Sequence, residues 1–450
     1  MQKEKEKDKH MNSKERFELA RWAVAQARKC GAQDAAVDVR DGREIEVQFR
    51  DKTIEKLQEA KRHSLGISVY LNNRYSTQST NNLRKASLET FISDAVAMTK
   101  YLNEDQFRKL PDPKYYAGRE ARDLQMRDPS YELLSAEARI ESARQAAGAA
   151  AAGSPRTVSV TAGFSDSLSS SVKVHSNGFE GEQEDTSFAL YANPTLKDDA
   201  GNLVEEYAYA TTRFRGDLPD PQKVGKEAAE RALRRMGQKK VNSQKMDMVV
   251  ENRQAGQVIW PLIDPMSGAS LQQKQSFLEG QLGQKIASGK LTLIDDPFIP
   301  RGMGSQLFDG EGLAAKRRTV IDKGVLRMYF IDNYYGRKLG VEPTTAGPSN
   351  LVFEYGGKSC DEIIKGVSRG IFVTGFIGGN SNSTTGDYSF GISGMVIENG
   401  ALVKPVYEMN ISGNLKDLWN ELIEIGNDPN PYSGLRVPTL RFGNVQFSGI

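Results

Sequence analysis

Histidine is scarce in this chain: His10, His63 and His175 are the only three among 450 residues. No two share a helix face, so the His-Glu-x-x-His zinc pattern is absent. A catalytic zinc needs two or three side-chain donors converging at fixed geometry, and a Ser-His-Asp triad would have to use one of these same three. A lone histidine without a visible partner reads first as a surface or strand-end residue. Cysteine is scarcer still. Cys30 and Cys360 lie far apart and belong to no Cys-x-x-Cys pair, which excludes a disulfide framework and a multi-cysteine metal site. No stretch approaches the roughly 18 consecutive apolar residues of a membrane-spanning helix. Charge of one sign is also lacking. Lys+Arg total 60 against Asp+Glu 58, a net of +2, too weak a field for a mainly electrostatic grip on nucleic acid. The glycines of Gly375-Phe-Ile-Gly-Gly379 lead into no Gly-Lys-Ser/Thr, so no phosphate loop is spelled.

What is present suits a packed protein. Hydrophobic residues make up 38% and charged residues 26%, enough for a core without disulfides. The opening run Met1-Gln-Lys-Glu-Lys-Glu-Lys-Asp-Lys-His10 alternates in charge and has no apolar segment, so it is not a secretory signal. Residues 1–12 are expected to form a disordered tail, and the location is expected to be cytoplasmic.

Beyond the tail, Phe17, Ala20, Val24, Ala27 and Cys30 recur at helical steps and predict a helix from Ser13, closed by Gly31. Asp41-Gly42 stands between alternating segments and predicts a hairpin turn. Thr53 to Ala60 fits either helix or strand. Leu65 to Leu71 and Arg74 to Thr80 read as strands turned by Asn72-Asn73, and Leu83 to Leu102 as a second amphipathic helix. Asp105 to Asp128, polar and carrying Pro111 and Pro113, reads as an irregular connector. Then come a helix from Ser135 to Ala152 and strands at Thr157–Phe164 and Ser171–His175. A turn at Ser176-Asn177-Gly178 leads to strands at Phe179–Ala192 and Val204–Phe214, and Pro221 to Met236 is a helix. After Gly237-Gln238 the character changes. A strand at Lys245–Val250 and helical stretches near Gln254–Ile263 and Leu271–Ser288 give way to short Gly-, Thr- and Val-rich strands. A last helix is expected from Leu415 to Ile425.

The expected fold is therefore α+β. Residues 13–236 form an N-terminal domain of helices packed on antiparallel hairpins, with a subdivision near 105–134, and residues 237–450 form a mostly β C-terminal domain with a few helices. Candidate chemistry is sparse. Asp295-Asp296 and Asp309-Gly-Glu311 could hold a hard cation, yet lack calcium-loop spacing and read more simply as turns. Lys316-Arg317-Arg318 reads as a solvated strand edge.

Several motifs together resemble the TldD/PmbA family. They are Leu65-Gly-Ile-Ser-Val-Tyr70 with Arg74-Tyr-Ser-Thr-Gln-Ser-Thr-Asn-Asn82, Ser176-Asn-Gly-Phe-Glu-Gly181, Leu307-Phe-Asp-Gly-Glu-Gly312, Thr384-Thr-Gly-Asp-Tyr-Ser-Phe-Gly391, Ile397-Glu-Asn-Gly400, Ile411-Ser-Gly-Asn-Leu415 and Ile425-Gly-Asn427. The TldD type carries His-Glu-x-x-x-His on the helix opening the C-terminal domain and a further ligand in a late loop. Here those stretches read Gly256-Gln-Val-Ile-Trp-Pro-Leu-Ile-Asp-Pro265 and Asn427-Asp-Pro-Asn-Pro-Tyr-Ser433, with no histidine or cysteine. That is similar to the PmbA (TldE) type. The resemblance implies a non-metal-binding, non-catalytic subunit of a metalloprotease that degrades or matures unfolded peptides. No metal or catalytic residue is then expected in this chain. Zinc belongs to a TldD-type partner subunit, and this chain would help enclose a chamber and bind extended substrate. Asp309, Glu311, Gly312, Gly386, Asp387, Tyr388 and Ser389 are the residues implied for substrate binding, with a turn role as the alternative. A homodimer is a further partnership to consider; a membrane or direct nucleic-acid partner is not expected. An independent peptidase with a metal site of another kind, or a non-enzymatic regulator linked indirectly to DNA gyrase, are the alternative functions.

Overall fold

The computed structural model describes residues 11–450. The first ten residues of the expected tail lie outside these. Met11 and Asn12, placed in the tail from sequence, are instead part of the fold. The Met11 N–H donates to Asp41 Oδ2 at 2.9 Å, and Asn12 caps the first helix in a reciprocal box with Glu15.

The first half runs α1 (Ser13–Lys29), β1 (Asp34–Arg50), β2 (Thr53–Leu71), β3 (Arg74–Thr80), α2 (Lys85–Thr99), α3 (Ala136–Ala152), β4 (Thr157–His175), β5 (Glu180–Lys197), β6 (Leu203–Glu205), β7 (Ala208–Thr212) and α4 (Pro221–Arg234). Its strands make one antiparallel sheet in the order β3-β2-β1-β4-β5, with β6 and β7 both on the outer edge of β5. Side chains alternate across a strand, and the alternation of β1 is unbroken along its length. Val37 and Val39 are buried in the cluster of α1 and α2, and Val47 and Phe49 in that of α3 and α4. These are all odd-numbered positions of one strand, so all four helices cover the same face of the sheet. The other face presents small polar side chains, among them Ser165, Ser167, Ser169 and Ser171 of β4.

The expected turn at Asp41-Gly42 does not occur. β1 passes straight through, with Asp41 opposite His63 of β2 and Ser170 of β4. Two long neighbouring strands outweigh the local turn preference, and the chain reverses instead after Arg50, where Asp51 takes φ +56°. β4 is likewise one strand where two were expected, and the ambiguous Thr53–Ala60 is strand. Val204–Phe214 is broken into β6 and β7.

The second half runs β8 (Gln244–Val250), α5 (Gly256–Ile263), α6 (Gly268–Gln272), β9 (Leu293–Asp295), β10 (Arg318–Asp322), β11 (Val325–Leu326), α7 (Asn333–Leu339), β12 (Leu351–Phe353), α8 (Cys360–Lys365), β13 (Arg369–Ser381), β14 (Asp387–Glu398), β15 (Ala401–Asn414), α9 (Leu415–Asn420), β16 (Leu422–Ile425), β17 (Leu435–Arg436) and β18 (Leu440–Ser448). A small sheet has the order β11-β10-β9-β12-β17. A larger one, β15-β14-β13-β8-β18-β16, closes on itself because β15 also pairs with β18. Trp419, Phe442 and Phe447 fill its core with no more than 0% exposure. The fold is thus α+β: helices on an antiparallel sheet, then a mostly β half.

The helix expected over Leu271–Ser288 ends at Gln272. Lys274, Gly280 and Gly283 all take positive φ, which a helix cannot accommodate. The last helix stops at Asn420, and Leu422–Ile425 pairs with β18 instead.

Candidate functional site

Asp309 lies in the long segment between β9 and β10, which packs against the first half through Phe308 and Phe179. It is 5% exposed. Its Oδ1 accepts from the Glu311 N–H at 2.9 Å and the Leu313 N–H at 3.0 Å, and its Oδ2 accepts from the Ala346 N–H at 3.3 Å. Burial pushes its carboxyl up from the usual range, against the pull of these donors. Glu311 reaches across to α7, where its Oε2 accepts from the Asn333 N–H at 2.7 Å. Burial, reinforced by Asp332 and Asp309, pushes the Glu311 carboxyl up to about 7. Gly312 has φ +87° and lies against the Phe179 ring. Phe179 in turn meets Phe308 edge-on at 5.1 Å between centroids and tilts against His175 at 4.9 Å. Lys173 of β4 donates to the Gly310 carbonyl. Three sequence candidates, Asp309, Glu311 and Gly312, therefore converge on an aromatic seam between the halves.

The other four candidates form a separate group at the start of β14. Gly386 takes φ +84° and donates its N–H to Asn382 O at 2.8 Å. Asp387 Oδ2 accepts from Thr385 Oγ1 at 2.7 Å and its Oδ1 from Asn414 Nδ2 at 3.0 Å. The Thr385 and Asn414 donors hold its carboxyl below the usual range. Tyr388 is buried and stacked on Phe390 at 5.4 Å, and burial pushes its phenol up to about 12. Ser389 Oγ accepts from Asn410 Nδ2 at 3.0 Å. The two groups share no hydrogen bond.

The remaining motifs have local partners. Asp295 accepts from the N–H and Oγ of Ser349 at 2.7 and 2.5 Å. The basic run splits, Arg317 toward Asp296 and Arg318 to the Thr344 carbonyl.

Helix α5 turns Val258, Ile259, Leu262 and Ile263 into the core and leaves Trp260 41% exposed. Pro261 lies within it. In the late loop, both carboxylate oxygens of Asp428 are taken by Thr439, through its N–H at 3.0 Å and its hydroxyl at 2.7 Å. Apolar side chains, a proline and an already bonded aspartate do not fit a zinc ion, which needs imidazole, thiolate or free carboxylate donors. Among the described residues, no group of three or more His, Cys, Asp or Glu side chains could hold a metal ion.

Sequence reasoning missed a cleft of about 740 Å³ between the connector, the start of β5 and the loop near Met303. Arg213 pairs with Asp185 and donates through Nη2 to the Met303 carbonyl at 2.8 Å. Arg301 Nη1 reaches Asp217 at 2.9 Å, and its guanidinium lies 3.9 Å from the Phe214 ring centre. Burial pushes the Asp185 carboxyl up despite Arg213. The polar, proline-bearing connector was the one sequence signal for this place. No helix among the described residues is long and apolar enough to cross a membrane.

A one-face-covered antiparallel sheet, joined across an aromatic seam to a ring-closed β half, defines a two-part α+β class. Models of the PmbA/TldA metallopeptidase family match in three parts: domain 1 over residues 35–99, the central domain over 129–236 and the C-terminal domain over 243–449. The chain belongs to the PmbA/TldD metallopeptidase family. It is 29% identical over 408 residues, 90% of each chain, to the metalloprotease PmbA of Escherichia coli O157:H7. A crystal structure from Bacteroides thetaiotaomicron, described as a modulator of DNA gyrase, is 42% identical with a TM-score of 0.95, over 98% of this chain and 100% of that one. TldE of Thermococcus kodakarensis shares the fold at 20% identity, with a TM-score of 0.85 over 96% of this chain and 100% of that one.

Proposed function

We propose that this chain is a PmbA/TldE-type subunit without a metal of its own, which works with a zinc-bearing TldD-type partner to degrade or mature unfolded peptides in the cytoplasm. The carrying observation is the metallopeptidase fold with apolar side chains, Pro261 and Trp260 along α5 where metal donors would be needed. In such a pair the metal would supply a water of lowered pKa, and this chain contributes enclosure and substrate holding. Asp309, Glu311 and Gly312 shape the seam between the halves. Asp387, exposed, and Ser389, half-buried, lie where a substrate could meet them. The link to DNA gyrase carried by the Bacteroides relative's description would then be indirect, through proteolysis, in keeping with the net charge of +2.

The test is reconstitution. Mixing this chain with a TldD-type chain from the same cell is expected to raise cleavage of unfolded peptides above that of either chain alone. Turnover that ignores this chain defeats the proposal. Stoichiometric zinc in the purified chain, with chelator-sensitive cleavage by it alone, would instead establish an independent peptidase.

A further inference from the structure

The cleft contains an unpaired strand edge. The β4–β5 register runs without a shift from Thr161–Asn193 to Val174–Glu180. In antiparallel pairing, alternate residues then turn their N–H and C=O away from the partner strand. The even-numbered residues of β5 are the outward set. Thr186 donates its N–H to Met126 O at 3.0 Å and accepts from Arg213 Nη1 at 3.3 Å, and the Glu180 carbonyl accepts from Arg119 Nη1 at 2.8 Å. Farther along, β7 pairs with β5 from Phe188 to Ala192. Between Glu180 and Thr186, Glu182 and Glu184 present two N–H and two C=O groups toward the cleft. Among the described residues none of these four groups has a hydrogen-bond partner.

The geometry is prepared rather than loose. The Glu182 carboxylate is held by Arg16 Nη2 at 2.8 Å, and the Glu184 carboxylate by Ser170 Oγ at 3.0 Å. The connector meets the main chain of the strand at Glu180 through Arg119 and at Thr186 through Met126, and in between Arg127 Nη1 reaches only the Glu184 carboxylate, at 3.3 Å, leaving the main chain uncovered. Arg122, Arg127, Arg213 and Arg301 in the lining stand against Asp123, Glu182, Glu184 and Asp185, so no net charge selects the occupant. A volume of about 740 Å³ suits a short segment of chain.

We propose that this edge binds an extended peptide, which adds to β5 as a strand across Glu182 and Glu184 and is recognised by its main chain rather than by its side chains. The site rests on the extended-peptide reading above, but needs no partner subunit to be occupied.

The experiment uses the whole chain and short fluorescent unstructured peptides, with binding read by anisotropy. A strand has two hydrogen-bonding edges, so N-methylation at every second residue leaves one edge intact, whereas N-methylation at consecutive residues blocks both. The singly blocked peptide is expected to bind about as well as the parent. The doubly blocked one should bind about tenfold or more weakly, given the worth of a few hydrogen bonds. Amide exchange at Glu182 and Glu184 should slow on binding. Glu184→Pro removes an N–H that β4 does not use and should weaken binding about tenfold with the fold kept, as checked by its melting curve. Equal binding of both methylated peptides, no peptide binding, or protection only elsewhere would overturn the site. So would protection of this segment by a TldD-type chain but by no peptide. Failure of the subunit proposal alone would look different: peptide binding at β5 intact, with no effect on the partner's turnover.

Discussion

Arg139 of α3 and Asp166 of β4 meet inside the first half as a two-point ion pair, Nε to Oδ2 at 2.5 Å and Nη2 to Oδ1 at 3.0 Å. Their side chains are 4% and 0% exposed. Removing one partner strands the other charge away from water. Arg139→Ala is therefore expected to cost about 3–5 kcal/mol, whereas the double Leu substitution at both positions should cost clearly less. Urea unfolding of the two variants measures the difference.

Glu311 makes stability depend on pH. Its folded carboxyl titrates at about 7 because of burial, with Asp332 and Asp309 reinforcing it, whereas an unfolded glutamate titrates near ~4.3. Between those values the folded chain holds a proton the unfolded chain lacks. Stability contributed by this group is thus present at low pH and lost as pH rises toward and through neutrality. Glu311→Gln should flatten the fall in urea midpoint from about pH 5 to about pH 8. His175 acts in the opposite sense. Burial pushes its imidazole down to about 3, so the unfolded chain takes up the proton first and stability falls as pH drops below ~6.5. That acid limb should survive in Glu311→Gln.

Gly312 combines φ +87° with a position where a Cβ would lie 2.9 Å from the Phe179 ring. Gly312→Ala is expected to cost about 1–3 kcal/mol through backbone strain and crowding. Phe179→Leu in that background should recover the crowding part and leave the strain, a non-additivity that thermal melts of the single and double variants would read.

Much of the fold was legible because its signals are local. The helical spacing of Ala20, Val24 and Ala27 located α1 within a residue of its ends, and the short Gly-, Thr- and Val-rich segments of the later part marked its mostly β character. The misreadings share one cause. Asp41-Gly42 has turn chemistry, but β2 and β4 both claim its main chain. Leu271–Ser288 has apolar spacing, but left-handed Lys274 and Gly280 end the helix. The candidate residues were legible as motifs, and the structure divides them between the seam at Gly312 and the turn at Gly386. The β5 cleft was not legible, because its walls come from segments near 122–129, 182–185, 213–214 and 301–307, and only the tertiary fold brings these together.

The position of β18 bears on how the molecule is made. It lies between β8 and β16 and also ties down β15. A nascent chain that has emerged only as far as β17 has every other strand of the larger sheet but not the one that closes it. Met248, Met409 and Trp419 then still await part of their cover. The first half, whose sheet is complete once β7 is out, can fold before then, while the second half must wait until β18 has emerged. Truncations that remove β18 should therefore leave the first half folded and the second half prone to association through its open edges.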